Sequence, residues 1–200
     1  KYLDPIAKAK EMKQLHQSED PWAKLDKPQI DVFTIKAKDG TDLYARMIKP
    51  INFDVNKKYP VIVYVYGGPH AQLITDTWLS GANNFFLFLA QQGYIVWTVD
   101  SRGSANRGYE FESAIWRNCG SIEVSDQMDG VNYLKSLPYV DAERIGVDGW
   151  SYGGFMTISL KLKNPGVFKT ATAGGACHVK AWGLIHCSTS KHRATNSGKQ

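Results

Sequence analysis

Two hydrophobic patterns follow one another along the chain, and each predicts a different kind of sheet. From residue 31 onwards apolar positions alternate with polar ones on both sides of Asp39-Gly40, and the alternating set is Phe33, Ile35, Ala37, Leu43, Ala45 and Met47. Alternation around an Asp-Gly pair predicts a half-buried antiparallel hairpin. Residues 61–65 and 94–99 are instead nearly unbroken apolar runs, which are typical of parallel strands covered on both faces.

Helical patterns separate the apolar runs. Residues 83–92 are rich in Phe and Leu, and residues 124–137 place apolar side chains on one helical face. A short strand at 145–147 leads into a third helix, and residues 170–173 begin another strand. A hairpin followed by alternating strands and helices predicts an α/β fold, whose mostly parallel sheet carries an antiparallel N-terminal hairpin.

Composition and charge narrow the classes of function. The 200 residues are 43% hydrophobic, which suits one globular domain, and they contain no run of eighteen apolar residues, so we expect no membrane span. The net charge of +5 comes from the last quarter, because residues 149–200 hold seven Lys or Arg and no Asp or Glu. No stripe of aromatic and basic residues accompanies this tail, so we do not expect nucleic-acid binding.

The segment Gly149-Trp150-Ser151-Tyr152-Gly153 fits the Gly-x-Ser-x-Gly nucleophile elbow. Glycines are required because this strand-to-helix turn is tight and leaves no room for larger side chains. The elbow predicts that Ser151 is a nucleophile and that the Tyr152 N–H, at a helix start, stabilises an oxyanion. The alternative, a glycine-rich structural turn, is disfavoured because a predicted strand and a predicted helix flank the segment.

A second loop, Tyr66-Gly67-Gly68-Pro69-His70, follows the first predicted parallel strand. The elbow-containing fold places its second oxyanion donor at this position, which makes the Tyr66 hydroxyl a candidate. An ordinary Gly-Pro turn is the simpler alternative. His70 is interpreted as a loop residue, because it precedes Ser151 whereas this fold orders the nucleophile, the acid and then the histidine.

Three further groups of polar residues are interpreted structurally. Asp100 and Arg102 are predicted to pair within a self-capping turn, and Glu123, Asp126 and Asp129 to form a solvated or pairing helix face. The tail contains zinc-capable side chains, but their spacing matches no standard structural site, so we expect no metal. These tail residues are Cys177, His178, His186, Cys187 and His192.

Four segments in order, at residues 57–69, 100–104, 123–127 and 144–154, resemble the catalytic domain of prolyl oligopeptidase-family serine peptidases, and in particular its dipeptidyl-peptidase branch. The resemblance implies an α/β-hydrolase fold and an acyl-enzyme on Ser151. It implies an oxyanion hole from Tyr66 and Tyr152, with Tyr152 and Trp150 in contact with substrate. It also implies cleavage of N-terminal dipeptides from peptides with Pro or Ala at the second position, no cofactor, and possible homo-oligomers.

The chain departs from the family pattern after residue 175. The tyrosine-rich stretch of the family is absent there, and no Asp or Glu follows Asp148, so neither the triad acid nor an oriented histidine is found. We therefore expect the last strands of the fold to be missing and this chain to be inactive alone. The expected organisation is a lead-in over 1–29 from an absent upstream domain, with a short helix or structured linker at 4–18. A partial peptidase domain over 30–175 and a divergent basic tail over 176–200 follow.

Two alternatives stay open at this point. The acid-free tail is also compatible with a non-catalytic α/β-hydrolase remnant or interaction module. Alternatively, residues 176–200 arise from a shifted reading frame, in which case another frame of the coding DNA past codon 175 encodes the tyrosine-rich segment, the acid and the histidine.

Overall fold

The computed structural model describes residues 14–21, 23–179 and 185–187. The strands are β1 (Ile30–Lys36), β2 (Asp42–Ile48), β3 (Tyr59–Tyr64), β4 (Ile95–Asp100), β5 (Val140–Trp150), β6 (Thr170–Gly174), β7 (Cys177–Val179) and β8 (Ile185–Cys187). The helices are α1 (Asn84–Gln91), α2 (Tyr109–Ser113), α3 (Ile122–Ser136) and α4 (Tyr152–Lys163), with a 3-10 turn over Trp78–Gly81.

Six strands form one mixed sheet in the order β1-β2-β4-β3-β5-β6. The β1–β2 and β2–β4 pairs are antiparallel, and the β4–β3, β3–β5 and β5–β6 pairs are parallel. This arrangement confirms the predicted parallel sheet with an N-terminal antiparallel hairpin. It also places the carboxyl ends of β3 and β5 side by side, which is where ligands bind in parallel α/β sheets.

The core explains why the central strands are so apolar. All six residues of β4 are buried, and Trp97 stacks on Tyr133 of α3 with ring centroids 5.7 Å apart. The helices α3 and α4 cover the face of the sheet on which Trp97 lies. On the opposite face α1 buries Phe86 and Leu87 against Ile48 and Val96. A strand whose sheet is covered on both faces has a nearly continuous apolar sequence, as β4 does.

Three boundaries differ from the sequence predictions. The strand predicted at 145–147 extends over eleven residues, Val140–Trp150, because Val140 also pairs with Tyr59 of β3, across a register shift that precedes the Val61–Ile145 pair. The short helix or structured linker expected at 4–18 lies mostly outside the described residues, and its described part, 14–18, is not helical. The antiparallel pair β7–β8, with Cys177 opposite Cys187, was not predicted. No helix in the described part of the chain has the length and apolarity that a bilayer crossing requires.

The predicted pair between Asp100 and Arg102 is wrong. Arg102 donates through Nη2 to Asp126 at 2.6 Å and through Nη1 to Asp39 at 2.6 Å. The Asp126 carboxylate, the first of these partners, raises the pKa of Arg102. Asp126 is fully buried and also accepts the Arg102 backbone N–H at 2.8 Å, so α3 is tied to the loop that follows β4.

Asp100 has a different role from the one predicted. Its two carboxylate oxygens accept the backbone N–H groups of Leu73 at 2.9 Å and Ile74 at 3.0 Å. Burial raises the pKa of Asp100, and these two hydrogen bonds oppose the shift. The same loop is held by the fully buried Arg46, which donates to the Leu73 and Ser80 carbonyls at 3.1 and 2.6 Å. The connection between β3 and α1 is therefore fixed to β2 and β4 by buried charges.

The burial of Asp126 gives a stability prediction. Asp126→Ala leaves the largely buried Arg102 guanidinium without its main partner, so we expect the free energy of unfolding to fall by about 3–5 kcal/mol. Asp39→Ala removes the exposed partner of the same guanidinium and serves as the matched control, with a much smaller expected loss. Chemical denaturation followed by circular dichroism measures both. Equal losses in the two variants would contradict the assignment of Asp126 as the dominant partner.

Candidate active site

Ser151 occupies a strained turn between the end of β5 and the start of α4. Its backbone angles are φ 60° and ψ −118°, which non-glycine residues rarely adopt. Conformations of this kind cost about 1–3 kcal/mol and persist where the surrounding structure enforces them. Here the Ser151 N–H donates to the Gly174 carbonyl at 2.9 Å, and the Ser151 carbonyl accepts from Gly154 and Phe155. The turn is therefore held by β6 on one side and by α4 on the other.

The two elbow glycines, Gly149 and Gly153, lie so close to neighbouring backbone that a side chain at either position would clash. A Cβ added at Gly149 would lie 2.3 Å from the Gly153 carbonyl oxygen and 2.6 Å from that of Val65. At Gly153 it would lie 2.2 Å from the same Val65 oxygen. The elbow thus packs directly on the chain that leaves β3, and no flexible side chain is available to yield. This contact brings the next residue, Tyr66, beside the elbow.

Tyr66 and Tyr152 lie next to one another at this point. Their ring centroids are 6.3 Å apart at an interplanar angle of 38°. Gly68 makes this possible, since a Cβ there would stand 2.5 Å from Tyr66 Cε1 and 3.1 Å from Tyr152 Cγ. Tyr152 is the first residue of α4, and a backbone N–H at that position has no acceptor within its helix. The structure therefore brings Ser151, Tyr66 and Tyr152 together; their chemical roles stay predictions.

The Tyr152 side chain points into the protein. Only 3% of its surface is exposed, and its hydroxyl donates to Glu123 at 2.8 Å. Its ring contacts Phe155 edge-on, with centroids 5.2 Å apart. Burial, and after it the neighbouring Cys119 and Glu123, raise the pKa of the Tyr152 phenol. The hydroxyl is therefore protonated at neutral pH and acts as a hydrogen-bond donor.

Glu123 is a neighbour of the candidate site that the sequence interpretation missed. The solvated alternative for the acidic face of α3 is wrong for Glu123, which is fully buried. Its carboxylate accepts the Ser121 N–H at 3.1 Å, the Gly120 N–H and the Tyr152 hydroxyl. The only signal in the sequence was its place in the first turn of a helix, where a carboxylate can reach back to free N–H groups.

Trp150, predicted to contact substrate, lies on the outer side of the elbow. Its indole covers Gly174 and Gly175, where an added Cβ would lie 2.2 and 3.2 Å from the ring. The side chain remains 59% exposed. It therefore offers an apolar surface adjacent to Ser151, and its contact with substrate stays a prediction.

The histidines whose side chains are described have partners other than a catalytic acid. His70 pairs with Glu112 of α2, and its backbone N–H donates to the Gly103 carbonyl at 3.0 Å, in agreement with its interpretation as a loop residue. His16 contacts Ser18. The predicted tail residues His178, His186 and His192 fall outside the described side chains. Across the described residues, no group of three or more His, Cys, Asp or Glu could hold a metal ion.

A mostly parallel sheet whose fifth strand ends in a strained serine turn before a helix defines an α/β-hydrolase fold. A sequence profile described as the prolyl oligopeptidase family matches residues 81–192, a segment that contains Ser151 and Tyr152 and excludes Tyr66. The chain therefore belongs to the prolyl oligopeptidase family, whose members are serine peptidases that act on peptides.

Three similar proteins support this assignment. Dipeptidyl peptidase 8 of Mus musculus is 37% identical over 174 residues, which cover 86% of this chain and 19% of that protein. A solved structure from Bacteroides ovatus, described as a dipeptidyl aminopeptidase IV, is 55% identical with a TM-score of 0.79, covering 81% of this chain and 23% of that one. Dipeptidyl peptidase 4 of Porphyromonas gingivalis is 35% identical with a TM-score of 0.70, covering 75% and 21%. The chain spans about a fifth of the length of these relatives.

The contact between Gly153 and Val65 gives the second prediction. Gly153→Ala forces two backbone segments apart, so we expect a loss of about 3 kcal/mol in the free energy of unfolding, at the upper end of typical overpacking effects. Gly166→Ala is the control, because the space around its Cβ position is open; its positive φ of 85°, which Gly153 does not share, adds only backbone strain to that variant. Thermal unfolding of both variants measures the difference. If Gly166→Ala is as destabilising as Gly153→Ala, the contact with Val65 does not constrain the elbow.

Proposed function

We propose that this chain carries the nucleophile and the oxyanion hole of a dipeptidyl peptidase, which cleaves peptides after Pro or Ala at the second position through an acyl-enzyme on Ser151. The observation that carries the proposal is the strained conformation of Ser151, with the Val65–Tyr66 backbone packed against the same turn. Backbone strain concentrates at functional sites, and an elbow of this shape presents a hydroxyl above the sheet.

The proposed reaction begins with attack of Ser151 Oγ on the carbonyl carbon of the second substrate residue. The new C–O bond gives a tetrahedral intermediate, whose negative oxygen accepts hydrogen bonds from the Tyr152 N–H and the Tyr66 hydroxyl. The C–N bond then breaks, the amine leaves with a proton, and a water molecule hydrolyses the ester. The serine proton passes to a general base in the first step and returns to the leaving amine in the second.

In this proposal, residues 1–200 do not supply the general base. No acidic residue follows Asp148 in the sequence, and Asp148 itself lies on β5, where burial raises its pKa. Without the base a serine is a weak nucleophile at neutral pH, and loss of the triad lowers turnover by about 10⁴–10⁶. We therefore propose that residues 1–200 alone hold the nucleophile Ser151 in position but do not turn over substrate efficiently.

The dipeptidyl specificity rests on similarity and on one local feature. Two of the relatives named above, from Mus musculus and Porphyromonas gingivalis, are dipeptidyl peptidases. The exposed indole of Trp150 provides an apolar surface next to Ser151, which is suited to a proline ring or an alanine methyl group. The competing proposal is a non-catalytic interaction module, for which the acid-free tail is the supporting observation. The two proposals differ in the reactivity of Ser151.

Covalent labelling with a fluorophosphonate tests the proposal. Attack of Ser151 Oγ on phosphorus forms an O–P bond, breaks the P–F bond and releases fluoride, with the serine proton going to solvent. We expect Ser151 to react about 10²–10³-fold faster than the exposed Ser136 of α3, because an oxyanion hole accelerates attack by about that factor even without a base. Mass spectrometry of the digested chain gives both rates.

Ser151→Ala is the control for this labelling and should abolish the fast adduct while leaving that at Ser136. Equal rates at the two serines would favour the non-catalytic module. In a parallel assay, we expect the 200-residue chain to release p-nitroaniline from Ala-Pro-p-nitroanilide at least about 10⁴-fold more slowly than the Porphyromonas gingivalis relative. Comparable turnover would contradict the absence of a base.

A further inference from the structure

We propose that Glu123 is a positioning residue for the oxyanion hole: its buried carboxylate fixes the Tyr152 side chain and, through the contact between the two rings, the Tyr66 side chain. The inference rests on the proposed function, because these tyrosines matter chemically only if Ser151 attacks a carbonyl or phosphoryl group. Glu123 acts through Tyr152.

The Glu123 carboxylate is surrounded by hydrogen-bond donors. A fully buried carboxylate is unfavourable unless donors surround it, and Glu123 has three. Two are the backbone N–H groups of Gly120 and Ser121, which precede α3, and the third is the Tyr152 hydroxyl at 2.8 Å, which belongs to α4. The carboxylate therefore joins two helices, and its removal would leave donors from both without an acceptor.

The segment that carries Glu123 is itself anchored on α4. Gly120 has φ +83°, and a Cβ there would lie 2.9 Å from Phe155 Cζ. The Lys163 ammonium donates to the Gly120 carbonyl. Phe155 is in the first turn of α4 and Lys163 is its last residue, so the Gly120 segment contacts both ends of the helix. Glu123 consequently holds the Tyr152 hydroxyl at a fixed place relative to the helix that begins at the elbow.

The ring of Tyr152 contacts the ring of Tyr66, and this contact connects Glu123 to the second proposed donor. The two rings lie 6.3 Å apart, and Gly68 closes the space beside both of them. Tyr66 is only partly buried, and the Tyr152 ring is one of the surfaces that defines its orientation. If the Tyr152 ring rotates after losing Glu123, the Tyr66 hydroxyl moves from the place where it donates to the oxyanion. One carboxylate therefore influences both proposed donors.

A purely structural role for Glu123 makes a different prediction. In that case removal of the hydrogen bond lowers the melting temperature, but the folded molecules react at the original rate. A positioning role lowers the reaction rate of folded protein, measured well below the melting temperature. The Tyr152→Phe variant separates the two, because it removes one oxygen and leaves both the ring and the Glu123 carboxylate with its backbone donors.

The test uses the full 200-residue chain and its Tyr152→Phe, Glu123→Gln and doubly substituted variants. We expect the rate of fluorophosphonate labelling at Ser151 to fall about tenfold in each single variant, and by no more in the double variant, since the two changes remove the same interaction. Tyr139→Phe is the matched control and should react at the original rate. Its hydroxyl contacts Met47 Sδ at 3.8 Å, and it precedes β5 at the amino end of the parallel strands. Labelling of Tyr152→Phe at the original rate, with a lower melting temperature, would overturn the inference.

A second readout separates this inference from the proposed function. If the unsubstituted chain does not react at Ser151, the proposed function fails, and the positioning of Tyr66 is decided by nuclear magnetic resonance of ¹³C-labelled tyrosine rings. We then expect the Tyr66 ring signals to shift in Tyr152→Phe and in Glu123→Gln and to stay unchanged in Tyr139→Phe. Unchanged Tyr66 signals in the folded Tyr152→Phe protein would overturn the inference, whatever the reactivity of Ser151.

Discussion

The Val65 carbonyl oxygen lies so close to the elbow that neither Gly149 nor Gly153 can carry a side chain, and the remainder of the site depends on this contact. The contact joins the carboxyl end of β3 to the turn between β5 and α4. It sets the distance between Tyr66, which follows Val65, and Tyr152, which follows Ser151. A larger residue at either glycine would force the two loops apart.

The strain at Ser151 is maintained by the elements on both sides of it. The Gly174 carbonyl at the end of β6 accepts the Ser151 N–H, and the first turn of α4 donates to the Ser151 carbonyl. These hydrogen bonds are individually modest, but they require the parallel β5–β6 pair and α4 to be in register. The fold therefore holds Ser151 in a backbone conformation that a free peptide would not keep.

Buried acids organise the surroundings of the elbow. Asp100 fixes the loop after β3 through two backbone N–H groups, and Asp126 fixes the loop after β4 through Arg102. Glu123 fixes the ring of Tyr152. Each carboxylate accepts hydrogen bonds from donors in another element, which offset the cost of burying its charge. These hydrogen bonds link the loops at the carboxyl end of the sheet.

Local patterns predicted the parts of the fold that local physics determines. The alternation around Asp39-Gly40, the apolar runs of β3 and β4, and the glycines around Ser151 each reflect a requirement of the segment itself. The partners of Glu123 and Arg102 were not predictable in this way. Tyr152 lies 29 residues after Glu123, and Asp126 lies 24 residues after Arg102, so the pairs exist only once α3 has packed against the sheet. Sequence proximity favoured Asp100 for Arg102, but the Asp100 carboxylate accepts hydrogen bonds from the loop that contains Leu73.

We propose that Tyr66 and the Tyr152 N–H form one oxyanion hole above Ser151. A crystal structure of the chain with a phosphonate bound covalently to Ser151 tests it most directly. The account predicts one phosphonyl oxygen within about 2.7–3.1 Å of both the Tyr152 nitrogen and the Tyr66 hydroxyl oxygen. An adduct whose oxygens all face solvent, with neither donor in contact, would contradict it.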